Sequence, residues 1–151
     1  METKENAVEI LNDLVEINND RIVGYERAIE ETKIEDSDLK SIFAQMATES
    51  REYKQELTAE ILNNGGEVEK GTTASGKIYR AWMDVKATFS GHSRKSVLEN
   101  CEFGEDAAQK AYRSALDDED LPSSCRDLVM RQQQALKLSH DKIKMMRDQQ
   151  S

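Results

Sequence analysis

Val8, Leu11, Val15, Ile22, Tyr25 and Ile29 fall on a single alternating three-four spacing, the pattern of a helix packed along one face in a bundle. Between Val15 and Ile22, where that spacing requires an apolar residue, the chain has Asn18, followed by Asn19 and Asp20. A polar group at mid-seam is destabilising unless a partner hydrogen-bonds it. The seam therefore predicts a long helix, and its interruption predicts that other segments bring polar side chains to the same height.

The rest of the chain can supply such helices. Its 151 residues hold one proline and seven glycines, and the long uninterrupted segments are dominated by helix formers. A second helix is predicted from Asp38 to about Asn64, capped by Asp36 or Ser37. Its apolar face is Leu39, Ile42, Phe43, Met46, Tyr53, Leu57 and Ile61, interrupted at Glu49 and Ser50. Asn64-Gly65-Gly66 supplies the left-handed exit of a helix C-terminus. Ser93 caps a third helix that runs to about Leu116, with Val97, Leu98, Cys101, Ala108, Tyr112 and Ala115 on its seam and Glu105 among them. Asp117 to Asp120 make a turn, and Pro122 suits the first position of a fourth helix. That helix uses Cys125, Leu128, Val129, Leu136, Ile143 and Met146, with breaks at Gln132 and Ser139.

The two short turns make the first and second helices antiparallel, and likewise the third and fourth. The connection from Gly65 to His92 is long enough to cross the bundle. It also carries Ile78, Trp82, Val85 and Phe89 on one face of a short helix over Gly76 to Phe89. The second and third helices can then run parallel. The predicted fold is an all-α four-helix bundle, up-down-down-up, with a short extra helix in the crossover, forming one domain over residues 1–151.

Counting from each turn at about 1.5 Å per residue places Asn18, Glu49 with Ser50, Glu102 with Glu105, and Gln132 with Gln133 near mid-bundle, with His140 about one turn away. Polar residues at one height on four helices form a layer. Two readings of it stand. Amides and carboxylates can hydrogen-bond one another and fix helix register. Alternatively, Glu49, Glu102, Glu105 and His140 are candidate ligands of a weakly bound divalent metal, because carboxylate oxygens and imidazole are the donors such ions take. Tyr25, Tyr53 and Tyr112 point inward, with hydroxyls within reach of the layer. Cys101 and Cys125 begin antiparallel helices at opposite ends, roughly 15–20 Å apart along the axis, too far for a disulfide; both are expected to be buried thiols.

A net charge of −9 argues against nucleic acid and against a hold on anionic membranes. No apolar stretch approaches the roughly 20 residues of a membrane helix, and Met1 to Asn6 lacks the basic start and apolar run of a signal peptide. The expected location is the cytoplasm. There is no glycine-rich phosphate loop, nucleophile elbow or Ser-His-Asp spacing.

Four runs of residues carry a family pattern. They are Leu11-Asn12-Asp13-Leu14-Val15-Glu16-Ile17-Asn18-Asn19-Asp20, Gly71-Thr72-Thr73-Ala74-Ser75-Gly76-Lys77-Ile78, Ala81-Trp82-Met83-Asp84-Val85-Lys86 and Cys101-Glu102-Phe103-Gly104-Glu105-Asp106-Ala107-Ala108. The chain resembles a bacterial family of small ferritin-like proteins of unknown function, over nearly its whole length. The resemblance implies the ferritin-like bundle and a bacterial source. Di-iron ferritins carry a Glu on two helices and Glu-x-x-His on the other two. Here the first Glu falls near Asn18, and the Glu-x-x-His motifs fall near Glu49 to Glu52 and near Gln134 to Lys137. The third-helix Glu corresponds to Glu102 or Glu105. An oxidase-type di-iron centre is therefore not expected. The expectation is a stress-related, non-catalytic bundle with no cofactor, working through an unidentified protein partner or through self-association. A homodimer through the first helix pair is one such option, although no exposed apolar stripe demands it.

Overall fold

The computed structural model describes residues 2–68 and 93–150. Helix α1 spans Glu2–Glu31, and a 3-10 turn at Ile34–Asp36 leads into α2, Ser37–Asn63. Helix α3 is Arg94–Asp117 and α4 is Ser123–Asp148. The predicted crossover helix over Gly76 to Phe89, with Trp82, lies outside the described residues.

Polar contacts at the helix ends fix the direction of each helix. Arg94, opening α3, pairs with Asp36 at 3.2 Å and Asp38 at 2.8 Å, where α2 begins, so α2 and α3 run parallel. Asn6, early in α1, donates to Asp120 after the end of α3 at 2.8 Å. Cys125, early in α4, lies 3.6 Å from Glu60, late in α2. The order is up-down-down-up, the ferritin-like arrangement. Between the helices, one core joins Leu11, Leu14, Phe43, Leu57, Leu98 and Leu136, all essentially without exposure. Tyr25 and Phe43 meet with ring centroids 5.6 Å apart.

The helix ends follow local chemistry. Ser93 accepts a hydrogen bond from the Ser96 N–H at 3.1 Å, the N-cap predicted for α3. Pro122 stands one residue earlier than expected, at the N-cap of α4 with φ −62° and ψ 150°. Its extended backbone lets Arg126 turn back to the carbonyls of Leu116, Asp118 and Leu121 at 2.6, 3.2 and 3.2 Å. That guanidinium thus covers the Leu116 carbonyl at the end of α3 and ties down the turn that follows it.

Helix α2 ends in a Schellman motif. The Gly66 N–H reaches the Ile61 carbonyl at 2.9 Å and the Gly65 N–H reaches the Leu62 carbonyl at 3.0 Å. Gly65 holds φ at +77°, a conformation that an L side chain disfavours. Gly66 then passes close to α1, where an added Cβ would stand 2.5 Å from Val8 Cγ1. Gly65→Ala is expected to destabilise the fold by about 1 kcal/mol, read as a lower urea midpoint at unchanged slope.

Candidate functional site

The buried face of α1 is wider than the seam through Val8 and Ile22. Ala7, Leu11, Leu14, Asn18, Arg21, Tyr25, Ala28 and Thr32 repeat at four and three residues, and all are buried. Arg21 belongs to this stripe, with its side chain 1% exposed. It is the residue that the sequence reading missed. Reading the same spacing through Leu14 instead of Val15 would have found it.

Arg21 organises one polar layer. Its Nε donates to Glu105 Oε1 at 2.7 Å, and its Nη1 donates to Ser50 Oγ at 2.7 Å and to the Met46 carbonyl at 3.0 Å. Its Nη2 stands 3.2 Å from Glu49 Oε1. The guanidinium carbon lies 5.1 Å from the centre of the Tyr25 ring, within cation–π range. Tyr25 donates to the same Glu105 oxygen at 2.5 Å, and Ser139 of α4 donates to Glu49 at 3.1 Å. All four helices thus contribute to the layer. Burial by itself would lower the pKa of Arg21, but Glu105, Tyr25 and Glu49 outweigh it, and the guanidinium is held more firmly protonated than usual. Burial, then Glu105, push the Tyr25 phenol well up, so it acts as a neutral donor. The same two causes push up the Cys101 thiol, which keeps it from thiolate chemistry.

One helical turn away lies a second layer, built around two amides and a phenol. Asn18 donates to its own helix at the Leu14 carbonyl and to the Tyr112 hydroxyl, each at 2.8 Å. Tyr112 donates to Gln132 Oε1 at 2.7 Å. Gln132 in turn donates to the Tyr53 carbonyl at 3.2 Å and to Glu56 at 3.1 Å. Burial pushes the Tyr112 hydroxyl up as well.

The structure sorts the candidate residues. Glu49, Glu105 and Ser50 meet around Arg21; Asn18 and Gln132 meet at Tyr112. Glu102 and His140 are not brought to either layer. Glu102 pairs with Arg147 at 3.0 Å, and His140 sits between Asp106 and Asp141. Gln133 exchanges amide contacts with Gln109 across α3 and α4. Cys101 and Cys125 are buried free thiols, as expected.

These donors do not fit a di-metal centre. The space between the two inner carboxylates holds a guanidinium, a fixed positive charge that repels a second cation. Glu105 Oε1 already accepts from both Arg21 and Tyr25. Its Oε2 is buried without a hydrogen-bond partner, as is Asn18 Oδ1. Among the described residues, no three His, Cys, Asp or Glu side chains are grouped so as to hold a metal ion. In the layer one guanidinium stands against two carboxylates, and Glu49 is 29% exposed beside a cleft lined by Ile42, Met46, Ala135, Leu138 and Lys142.

Residues 6–118 match the model of a family described as a domain of unknown function, DUF2383. A mutant of Dps1 from Mycobacterium smegmatis has a similar solved structure, with TM-score 0.84, at 15% sequence identity over 97% of each chain. That likeness is one of fold. No curated protein matches. Among the described residues, no helix is long and apolar enough to cross a membrane.

Proposed function

The chain belongs to the DUF2383 family, a ferritin-like family of unknown function, and on that premise we propose that it is a non-catalytic bundle in which an arginine takes the place of metal. The single observation that carries the reading is Arg21, 2.7 Å from Glu105 and 3.2 Å from Glu49. A resident guanidinium supplies the cation that inward carboxylates require, and it has no open coordination position at which iron chemistry could occur. With its interior occupied in this way, the bundle acts through its surface, by binding a protein partner or a second copy of itself. We place it in the cytoplasm of a bacterium, in a stress-related role, with no nucleic acid as partner. Its net charge of −9 supports that last point.

The test is metal analysis of protein purified without chelator, combined with iron(II) titration and an iron-oxidation assay. The expected outcome is far less than one equivalent of iron, manganese, zinc or copper per chain and no oxidation above the buffer rate. Stoichiometric metal that is lost in Glu49→Ala and in Glu105→Ala would overturn the reading in favour of a metal-binding or redox protein built on the acidic layer. Sedimentation of the same sample then reports self-association.

A further inference from the structure

Beyond the Tyr112–Gln132 bond, three more polar cross-links tie α3 to α4 in succession along their seam. Gln109 and Gln133 form an amide pair at 3.0 Å. Next, Asp106 meets His140, with Asp106 Oδ1 2.5 Å from Nε2. Last, Glu102 pairs with Arg147 at 3.0 Å. The first link joins two neutral amides, and the last joins an arginine to a carboxylate. Only the middle link changes charge between about pH 5 and 8.

The geometry of that link specifies its proton count. The other ring nitrogen of His140, Nδ1, lies 3.1 Å from Asp141 Oδ1, so both nitrogens face carboxylates. A neutral imidazole has one N–H and one lone pair; only the imidazolium donates from both. The ring is 19% exposed, close enough to water to exchange its proton yet covered enough for the charge to count. The charged groups around it are Asp106 from α3 and Asp141 from α4. Lys137, one turn back on α4, pairs with the same Asp141 at 3.0 Å.

We propose that His140 is a proton-operated clasp between α3 and α4, closed while the ring carries both protons and released when it loses one. On release, one carboxylate faces a lone pair instead of a donor, and the middle of the α3–α4 seam loses its charged cross-link. Burial opposes the charged ring, but the hydrogen bonds to Asp141 and Asp106 and their charges outweigh it. The folded ring is therefore held above the ordinary value of 6.5. A group raised in this way contributes stability fully below its unfolded value, and that contribution is lost as pH rises through the folded value. The bundle thus tightens in mild acid and loosens on the alkaline side.

The test follows the ring signals of the full chain by NMR, assigned against His140→Gln, together with melting curves between about pH 6 and about pH 9. The expected result is a His140 midpoint above 6.5 that moves down in Asp106→Asn. The melting temperature of the wild type should fall across that interval more steeply than that of His140→Gln. A midpoint at or below the ordinary histidine value that ignores Asp106→Asn would overturn the clasp, as would equal slopes in wild type and His140→Gln. Should His140→Gln fail to fold, the Asp106→Asn titration decides alone, since it leaves the ring in place.

Discussion

Replacing Arg21 by methionine is expected to lower stability by about 3–5 kcal/mol, the range for breaking a buried ion pair from one side. Methionine conserves much of the volume, so the loss is electrostatic. The Glu105 carboxylate stays fully buried while its main donor is gone, leaving the Tyr25 hydroxyl as its hydrogen-bond partner. The pH dependence carries the proof of mechanism. In the variant, a buried carboxylate without its cation is driven to take up a proton in the folded state. A carboxyl shifted in that direction is harmless below its unfolded value, about 4.3, and grows destabilising as pH rises above it. Arg21→Met should therefore be closest to wild type near pH 4 and furthest from it at neutral pH. The double variant Arg21→Met with Glu105→Leu removes both fully buried charges, leaving Glu49 at 29% exposure, and should recover most of the loss, because apolar replacements of buried ion pairs are often neutral or stabilising. A single variant within about 1 kcal/mol of wild type at neutral pH would mean that the guanidinium is not needed to neutralise the layer.

The fold was legible because each of its determinants is local. The broken seam of α1, the Gly65 exit, the Ser93 cap and the one long connection together specify four helices in up-down-down-up order. The site was legible only in part, and the reason is angular. Height along the bundle was judged from residue counts, which place Glu102 beside Glu105 and His140 near both. Successive residues turn by about 100° around a helix, so position relative to the seam decides what points inward. On α3, Leu98, Cys101, Glu105, Ala108 and Tyr112 keep the three-four rhythm and are buried; Glu102 is one step off it and turns to Arg147. On α4, Gln132, Leu136, Ser139 and Ile143 keep the rhythm, and His140 is one step off. Arg21 was lost first to the same angular cause, since the seam read through Val15 and Ile22 puts it one step off the buried stripe through Leu14, Asn18 and Tyr25. A charged residue at a seam position reads as the edge of a helix face unless its counter-charges are already known, and Glu49 and Glu105 come from helices far away in sequence.

Tyr112→Phe is expected to destabilise the bundle by about 1–3 kcal/mol, more than Asn18→Leu, although Asn18 is the residue that first marks the layer. The hydroxyl of Tyr112 stands between two amides: it accepts from Asn18 and donates to Gln132. Its loss leaves the buried Gln132 oxygen without that donor and removes one of the two acceptors of the Asn18 amide, so two desolvated groups go short at once. Removing Asn18 is milder. Its Oδ1 is buried without a hydrogen-bond partner in the native bundle, so that desolvation penalty disappears with the side chain, and Tyr112 keeps its bond to Gln132. Leucine also continues the apolar rhythm from Leu14. Urea unfolding of the two variants at one pH ranks them directly. If Asn18→Leu proves the more damaging, the layer is organised by the amide on α1; the hydrogen bonds instead make the α3 tyrosine the member that joins α1 to α4.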